Sequence, residues 1–399
     1  MHSDFFLYQA QTSTQPLAIE ISHAKGNYIY DTDGKKYLDF IAGVSANSLG
    51  HNHAKVKKAI VEQIEKYMHV MVYGEFVQQP QVALCKLLSK QVSSKEPYAV
   101  YLTNSGTEAT EGAMKLAKRS TGRSEIIAAK NAYHGNTQGA MSVCGNEQQN
   151  SIFRPLIPGI KFILFNDSAD LDKITKKTAA VLLETIQGGA GFIEPANDYL
   201  IKVKQRCQEV GALLILDEVQ TGIGRTGKFF GFENYRILPD IIVTGKGLGG
   251  GMPIGAFMAS QKMMATLKQS PKLGHITTFG GHPVIAAAAL ATVKEITTST
   301  LMTEIDSKEQ LFRRLLIHKE IKEIRGKGLM LAILLESSEM ATKVILKAIE
   351  NGLLLFWLLY EDCAIRITPP LTISEEEIKK GCDILLQVID DLSKNKIEY

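Results

Sequence analysis

Between residues 99 and 260, short aliphatic runs rich in β-branched residues recur, with stretches of helical periodicity between them. This alternation constrains the fold more than any other property of the chain. Consecutive strands that must be joined through a helix pair in parallel, and a parallel sheet needs cover on both faces. The runs 99–102, 125–129, 179–183, 212–216, 241–244 and 256–260 read as strands, and 109–118 and 198–209 as helices. The expected fold is therefore α/β, with a mostly parallel central sheet flanked by helices.

The two ends of the chain read differently. Residues 17–31 alternate in a strand-like way and close at Asp31-Thr32-Asp33-Gly34. From residue 54, Val56, Ile60, Ile64 and Met68 recur at helical spacing. An Ala-rich helix is expected over 284–296, followed by an α+β region with helices near 306–316, 338–351 and 374–393. With 399 residues the chain is long enough for two domains. The expected division is an N-terminal segment 1–53 belonging to a small α+β domain, a large domain 54–290, and the rest of the small domain at 291–399.

Composition excludes several classes. A net charge of +3, dispersed along the chain, offers no footprint for nucleic acid or a membrane surface. Cys85, Cys144, Cys207, Cys363 and Cys382 are widely spaced and form no Cys-x-x-Cys pair. That argues against a disulfide framework or a zinc site and for a reducing compartment. No basic stretch followed by an apolar run opens the chain, and no apolar stretch is long enough to span a bilayer. The expectation is a cytoplasmic protein with no metal.

The runs that look like strands end in chemistry. Ile241-Ile242-Val243-Thr244 delivers Lys246 into a loop walled by Gly245, Gly247, Gly249, Gly250 and Gly251. A lysine held there can approach an aldehyde and form a Schiff base, and the glycines let the backbone come close to a bulky planar group. Leu213-Leu214-Ile215-Leu216 ends at Asp217, where a cationic pyridinium nitrogen would offset the burial of a carboxylate. A helix cap or a metal-binding acid fits Asp217 equally. An imine-forming lysine and an acid for a ring nitrogen are the two groups that pyridoxal phosphate chemistry most needs.

Other candidates are each open to a plainer reading. Thr103-Asn104-Ser105-Gly106-Thr107-Glu108 follows a strand and opens a helix, as a phosphate site does, or as a simple Ser/Thr cap does. Tyr133, in Tyr133-His134-Gly135-Asn136, can stack on a planar ring or fill the core. Gln220 can bond a ring hydroxyl or face solvent. Arg366 alternates with Ile365 and Ile367 ahead of Pro369-Pro370, and its fork suits a carboxylate or belongs to a surface strand. Reading 245–251 as a dinucleotide loop fits poorly, because the glycine spacing is wrong and Met252-Pro253 replaces the following helix.

Taken together these residues resemble the class III aminotransferases, fold type I pyridoxal phosphate enzymes that include the ornithine, acetylornithine and 4-aminobutyrate aminotransferases. The resemblance runs from residues 26–40 and Gly50-His51-Asn52-His53 to the segment 366–370. It is most specific in Leu216-Asp217-Glu218-Val219-Gln220-Thr221-Gly222, Gly224-Arg225-Thr226-Gly227 and Thr244-Gly245-Lys246. It implies pyridoxal 5'-phosphate bound by Lys246, Asp217 at the ring nitrogen, and Gln220 near the ring hydroxyl. It implies Ser105, Gly106 and Thr107 at the phosphate, Tyr133 on the ring, and Glu184 in the motif before Gln187-Gly188. Arg366 would grip a substrate carboxylate. Thr278 would reach the cofactor phosphate of the partner in a homodimer. The implied reaction is ping-pong transfer of an amino group from an amino acid or ω-amino acid to a 2-oxo acid. A racemase or phospho-lyase on the same scaffold is the alternative, and a nicotinamide oxidoreductase is a more distant one.

Two departures bear on the substrate. Asn136 stands where the ornithine and acetylornithine enzymes usually carry an arginine, and Gly189 where they usually carry a glutamate. The chain therefore lacks one cation and one anion of that pattern. Arg366 is expected to stay unmasked.

Overall fold

The computed structural model describes residues 1–394. Near the N-terminus, strands β1 (Ile21–Lys25), β2 (Tyr28–Asp31) and β3 (Lys36–Asp39) form an antiparallel meander. The β2–β3 turn is held by Asp31, whose Oδ1 accepts from the backbone N–H of Asp33 (3.1 Å) and Lys35 (2.8 Å). The periodic stretch at 54–68 is helical only over Ala54–Ile64. Gln63 ends it by donating to the Tyr67 carbonyl, which leaves Met68 outside the helix and exposed.

The seven-stranded sheet comprises β4 (Tyr98–Thr103), β5 (Glu125–Ala129), β6 (Ile160–Ile163), β7 (Thr178–Glu184), β8 (Leu213–Asp217), β9 (Ile241–Gly245) and β10 (Gly255–Ser260). Their spatial order is β4-β10-β9-β8-β7-β5-β6. Every residue of β7 and β9 is buried, as strands covered on both faces require. The pairings from β9 to β6 are parallel, while β10 runs antiparallel between β4 and β9. The helix Gly106–Thr121 packs on the sheet so closely that a Cβ at Gly112 would lie 2.3 Å from the Phe257 ring.

Register lines up the strand ends. Glu184 pairs with Asp217, and Gly255 pairs with both Gly245 and Thr103. Thr103, Glu184, Asp217 and Gly245 therefore share one edge of the sheet, the carboxyl edge where α/β proteins place their ligands.

A smaller sheet follows, built from β11 (Glu323–Lys327), β12 (Met330–Leu334), β14 (Phe356–Trp357) and β15 (Ala364–Ile367). The short β13 (Leu353–Leu354) joins β3 in parallel, so late and early segments complete one sheet. Beyond Arg366, Thr368 N–H donates to the Phe40 carbonyl and Leu371 N–H to that of Ser48, each at 2.8 Å. These bonds bring β15 against the N-terminal segment.

Candidate active site

Lys246 follows the wholly buried β9 and takes a left-handed conformation, φ 42°, a costly state for a side-chain-bearing residue that persists where surrounding structure enforces it. The loop cannot relax easily, because a Cβ at Gly247 would meet Ser48 Oγ at 2.4 Å. The amine faces a cavity of about 420 Å³. Burial pushes it down to about 8, helped by the charge of Arg366 and opposed by Asp217 and Glu184. After Lys246 the chain makes a 3-10 turn, Lys246–Gly249, where a dinucleotide loop would open a helix.

Asp217 lines the same cavity. One carboxylate oxygen bonds His134 Nδ1 at 2.7 Å, and the other accepts from Val219 N–H at 2.9 Å. Burial would lower the fully enclosed His134, but its bond to Asp217 and the charges of Asp217 and Glu184 prevail and raise it. Glu184 accepts from Gly188 N–H (2.9 Å) and Tyr133 N–H (3.2 Å), yet burial pushes it up to about 7. In the sequence His134 stands simply beside Tyr133. It is the missed partner of Asp217, and a histidine between an aromatic and a glycine was the signal.

At the start of Gly106–Thr121, Ser105 Oγ accepts from Glu108 N–H at 3.3 Å, while the Glu108 carboxylate accepts from Asn104 N–H at 2.8 Å. Ser105 is thus a cap, and its helix start also opens into the cavity. The plain reading and the phosphate reading hold together, since capping one N–H leaves others of the first turn free. A Cβ at Gly106 would meet the Val219 methyls at 2.9 Å, and one at Gly135 would come within 2.1 Å of Thr107 Oγ1. Thr107 Oγ1 also lies 3.1 Å from Thr137 Oγ1. The glycines let three separate segments close around the helix end.

Tyr133 and Gln220 line the cavity as well, and Gln220 donates to Ser45 Oγ at 3.2 Å. Ser45 ends a turn of four left-handed residues, Ala42, Gly43, Val44 and Ser45 (φ 48°, 57°, 62° and 65°). Asp39 holds this turn by accepting from Ile41 and Ala42 N–H (2.7 and 2.9 Å) and bonding His51 (2.7 Å). The turn presents Val44 to the cavity, beside Ile186 and Leu359. No local signal marked these three, which distant segments bring together.

Arg366 reaches the cavity from β15 and is only 8% exposed. Among the described residues, its buried Nε and Nη1 find no hydrogen-bond partner, and burial pushes its guanidinium down to about 10. Two buried donors without acceptors are expensive unless a ligand supplies them. Asn136 and Gly189 also line the cavity. A Cβ at Gly189 would sit 3.0 Å from the Tyr360 ring. Thr278 does not line this cavity. It is exposed, in a segment anchored where Thr277 Oγ1 accepts from Asn104 and from Gly280 N–H.

Known proteins resemble this chain along almost its whole length. The family model "Aminotransferase class-III" matches residues 8–389. An acetylornithine aminotransferase from Caldanaerobacter subterraneus subsp. tengcongensis is 39% identical over 386 residues, 94% of each chain. The ornithine aminotransferase of Toxoplasma gondii, solved with PLP at partial occupancy, superposes with a TM-score of 0.91 at 30% identity, covering 100% of this chain and 96% of that one. An adenosylmethionine-8-amino-7-oxononanoate aminotransferase from Methanocaldococcus jannaschii superposes at 0.90 and 30%, covering 98% of each. With the match extending almost from end to end, the chain belongs to the class III aminotransferases.

Proposed function

We propose that the cavity holds pyridoxal 5'-phosphate on Lys246 and that the protein, an aminotransferase of the acetylornithine and ornithine type, alternates between an amino donor and a 2-oxo acid. The observation that carries this is one cavity uniting a lysine amine pushed down to about 8, a carboxylate bonded to a buried histidine, and an open helix start. The residues fit the cofactor. Gly106, Thr107 and Ser105 would hold its phosphate, Tyr133 and Val219 would contact its ring, Gln220 would serve its hydroxyl, and Asp217 its nitrogen. Glu184 would sit beside Asp217 as a buried acid of the same wall.

When bound, the cofactor supplies an aldehyde for covalent attachment and a ring that accepts an electron pair. Asp217, oriented by His134 and Val219 N–H, would keep the ring nitrogen protonated. Lys246 Nζ would take the proton from the amine-bearing carbon, and its burial favours the neutral form that this step needs. Arg366 orients the substrate through its carboxylate. One guanidinium holds one such carboxylate at a time, so donor and acceptor bind in turn and kinetics are ping-pong.

The active unit is a homodimer in which Thr278 serves the partner's cofactor phosphate. Its support is the exposed apolar surface around that segment, including Phe76, Val77, Ile276 and Phe279, with Val77 92% exposed. A soluble monomer rarely leaves such a patch open. Five free thiols support a reducing, cytoplasmic setting. No single described helix is long and apolar enough to cross a membrane.

The test is chemical. Purified protein should be yellow, and borohydride should fix the chromophore on the peptide bearing Lys246. Lys246→Ala removes both nucleophile and base, so turnover should fall by several orders of magnitude, on the order of 10⁴ or more. Near wild-type turnover in that variant would overturn the assignment.

A further inference from the structure

Charge inside the cavity is sparse and unevenly committed. Of its two carboxylates, Asp217 is engaged by His134 and Val219 N–H, and Glu184 by Tyr133 and Gly188 N–H. Neither bonds Arg366. The cavity's basic side chains on this chain are His134, engaged by Asp217, Lys246, committed to the chemistry, and Arg366, with two buried donors that find no partner among the described residues. At Gly189 there is no side chain. The Tyr360 ring fills the space beside it, and Tyr360 N–H donates to the Gly189 carbonyl at 2.8 Å. At position 136 the side chain is a neutral amide. The remaining lining includes the apolar Val44, Ile186 and Leu359.

We infer that this chain's donor is an α-amino acid with an uncharged side chain, gripped by Arg366 through the carboxylate on its amine-bearing carbon and packed against Val44, Ile186 and Leu359. The inference rests on the aminotransferase reading above. Its physical basis is a mismatch with ω-amines. A donor reacting through a terminal amine carries its carboxylate several bonds away, where the described cavity lining offers no second arginine or lysine beyond Lys246. Its near end would leave Arg366 with both buried donors unsatisfied, since no cavity carboxylate is free to take them. An α-amino acid avoids both penalties, and so does a 2-oxo acid. Both half-reactions then use one grip.

Two measurements on the holoenzyme separate the possibilities. The first follows conversion of the bound chromophore with single donors, comparing leucine and norvaline with N-acetylornithine, ornithine and 5-aminopentanoate. The neutral α-amino acids should exceed the ω-donors at least tenfold in specificity constant. The second is calorimetric binding of unreactive 4-methylpentanoate, which reads the grip without turnover. It should bind wild type and weaken at least tenfold in Arg366→Ala. Asn136→Arg restores a second cation at an exposed position and should raise reaction with N-acetylornithine tenfold or more. An ω-donor matching or beating leucine would overturn the inference and leave the aminotransferase reading intact. So would binding of 4-methylpentanoate indifferent to Arg366→Ala, or no gain in Asn136→Arg. A chromophore that no amino donor converts would instead refute the aminotransferase reading itself.

Discussion

Lys246 sits where burial of its amine works against stability. Its amine is pushed from 10.5 to about 8 by burial and by Arg366, so between those values the unfolded chain binds more protons than the folded one. Stability of the cofactor-free protein must therefore rise with pH across that window, and the full penalty applies below about 8. The penalty is at most about 3 kcal/mol, less whatever water reaches the amine through the cavity. Cofactor-free Lys246→Met should melt above wild type at pH 7, by a margin that shrinks toward pH 10.5; an equal margin at both ends would show no such strain. For Asp217→Asn, kcat should fall about 10²–10⁴-fold with the fold retained, because a neutral amide cannot keep the ring nitrogen charged. The same change removes the anion that raises His134, so the His134 resonance should titrate at lower pH. Arg366→Ala should raise KM for every carboxylate substrate, by an amount equivalent to about 2–5 kcal/mol. At this scale the positions of Lys246 and Asp217 at the ends of buried strands were legible, because each closes an aliphatic run. His134 was not, since its partner lies 83 residues away.

The element that matters most is the start of helix Gly106–Thr121 and the loop that closes on it. Gly135 has φ 128°, and a Cβ there would collide with Thr107 Oγ1. Gly135→Ala should cost about 1–3 kcal/mol of stability and also weaken cofactor binding, read by titrating the chromophore into cofactor-free protein. Gly122 supplies the control. It caps the same helix at φ 68° with open space around it, so Gly122→Ala should cost about 1–2 kcal/mol and leave cofactor affinity alone. Equal losses of affinity would remove any special role for Gly135. Most large-sheet strands and flanking helices were legible from periodicity to within a few residues. The helix Gln79–Lys90 and strands β6, β11 and β12 were not. The outer strand β11 carries Glu323, Arg325 and Lys327 and is mostly unburied, so it lacks the apolar alternation that betrays a strand. The antiparallel sense of β10 was equally hidden, because direction within a sheet leaves no local pattern.

Across the whole molecule, the position of Thr278 makes assembly testable. Lys246→Ala chains should lack turnover, and Thr278→Ala chains should bind cofactor weakly. In the proposed homodimer, random pairing of equal amounts would make half the dimers mixed, each with one intact and one doubly altered site. About a quarter of wild-type activity should then return at limiting cofactor. No recovery after subunit exchange, or a fully active monomer by sedimentation, would dismiss the shared site.

By itself the sequence determined the α/β class, the parallel core of the large sheet, and the placing of Lys246 and Asp217 at strand ends. These follow from local rules, since burial on both faces produces unbroken apolar strands and reactive residues fall where such strands end. Only the tertiary structure decided that Ser45 meets Gln220 across 175 residues, that Val44, Ile186 and Leu359 share a wall, and that Arg366 is buried with donors unpaired. Such neighbours are selected by packing among distant segments, and periodicity within a few residues carries no record of them.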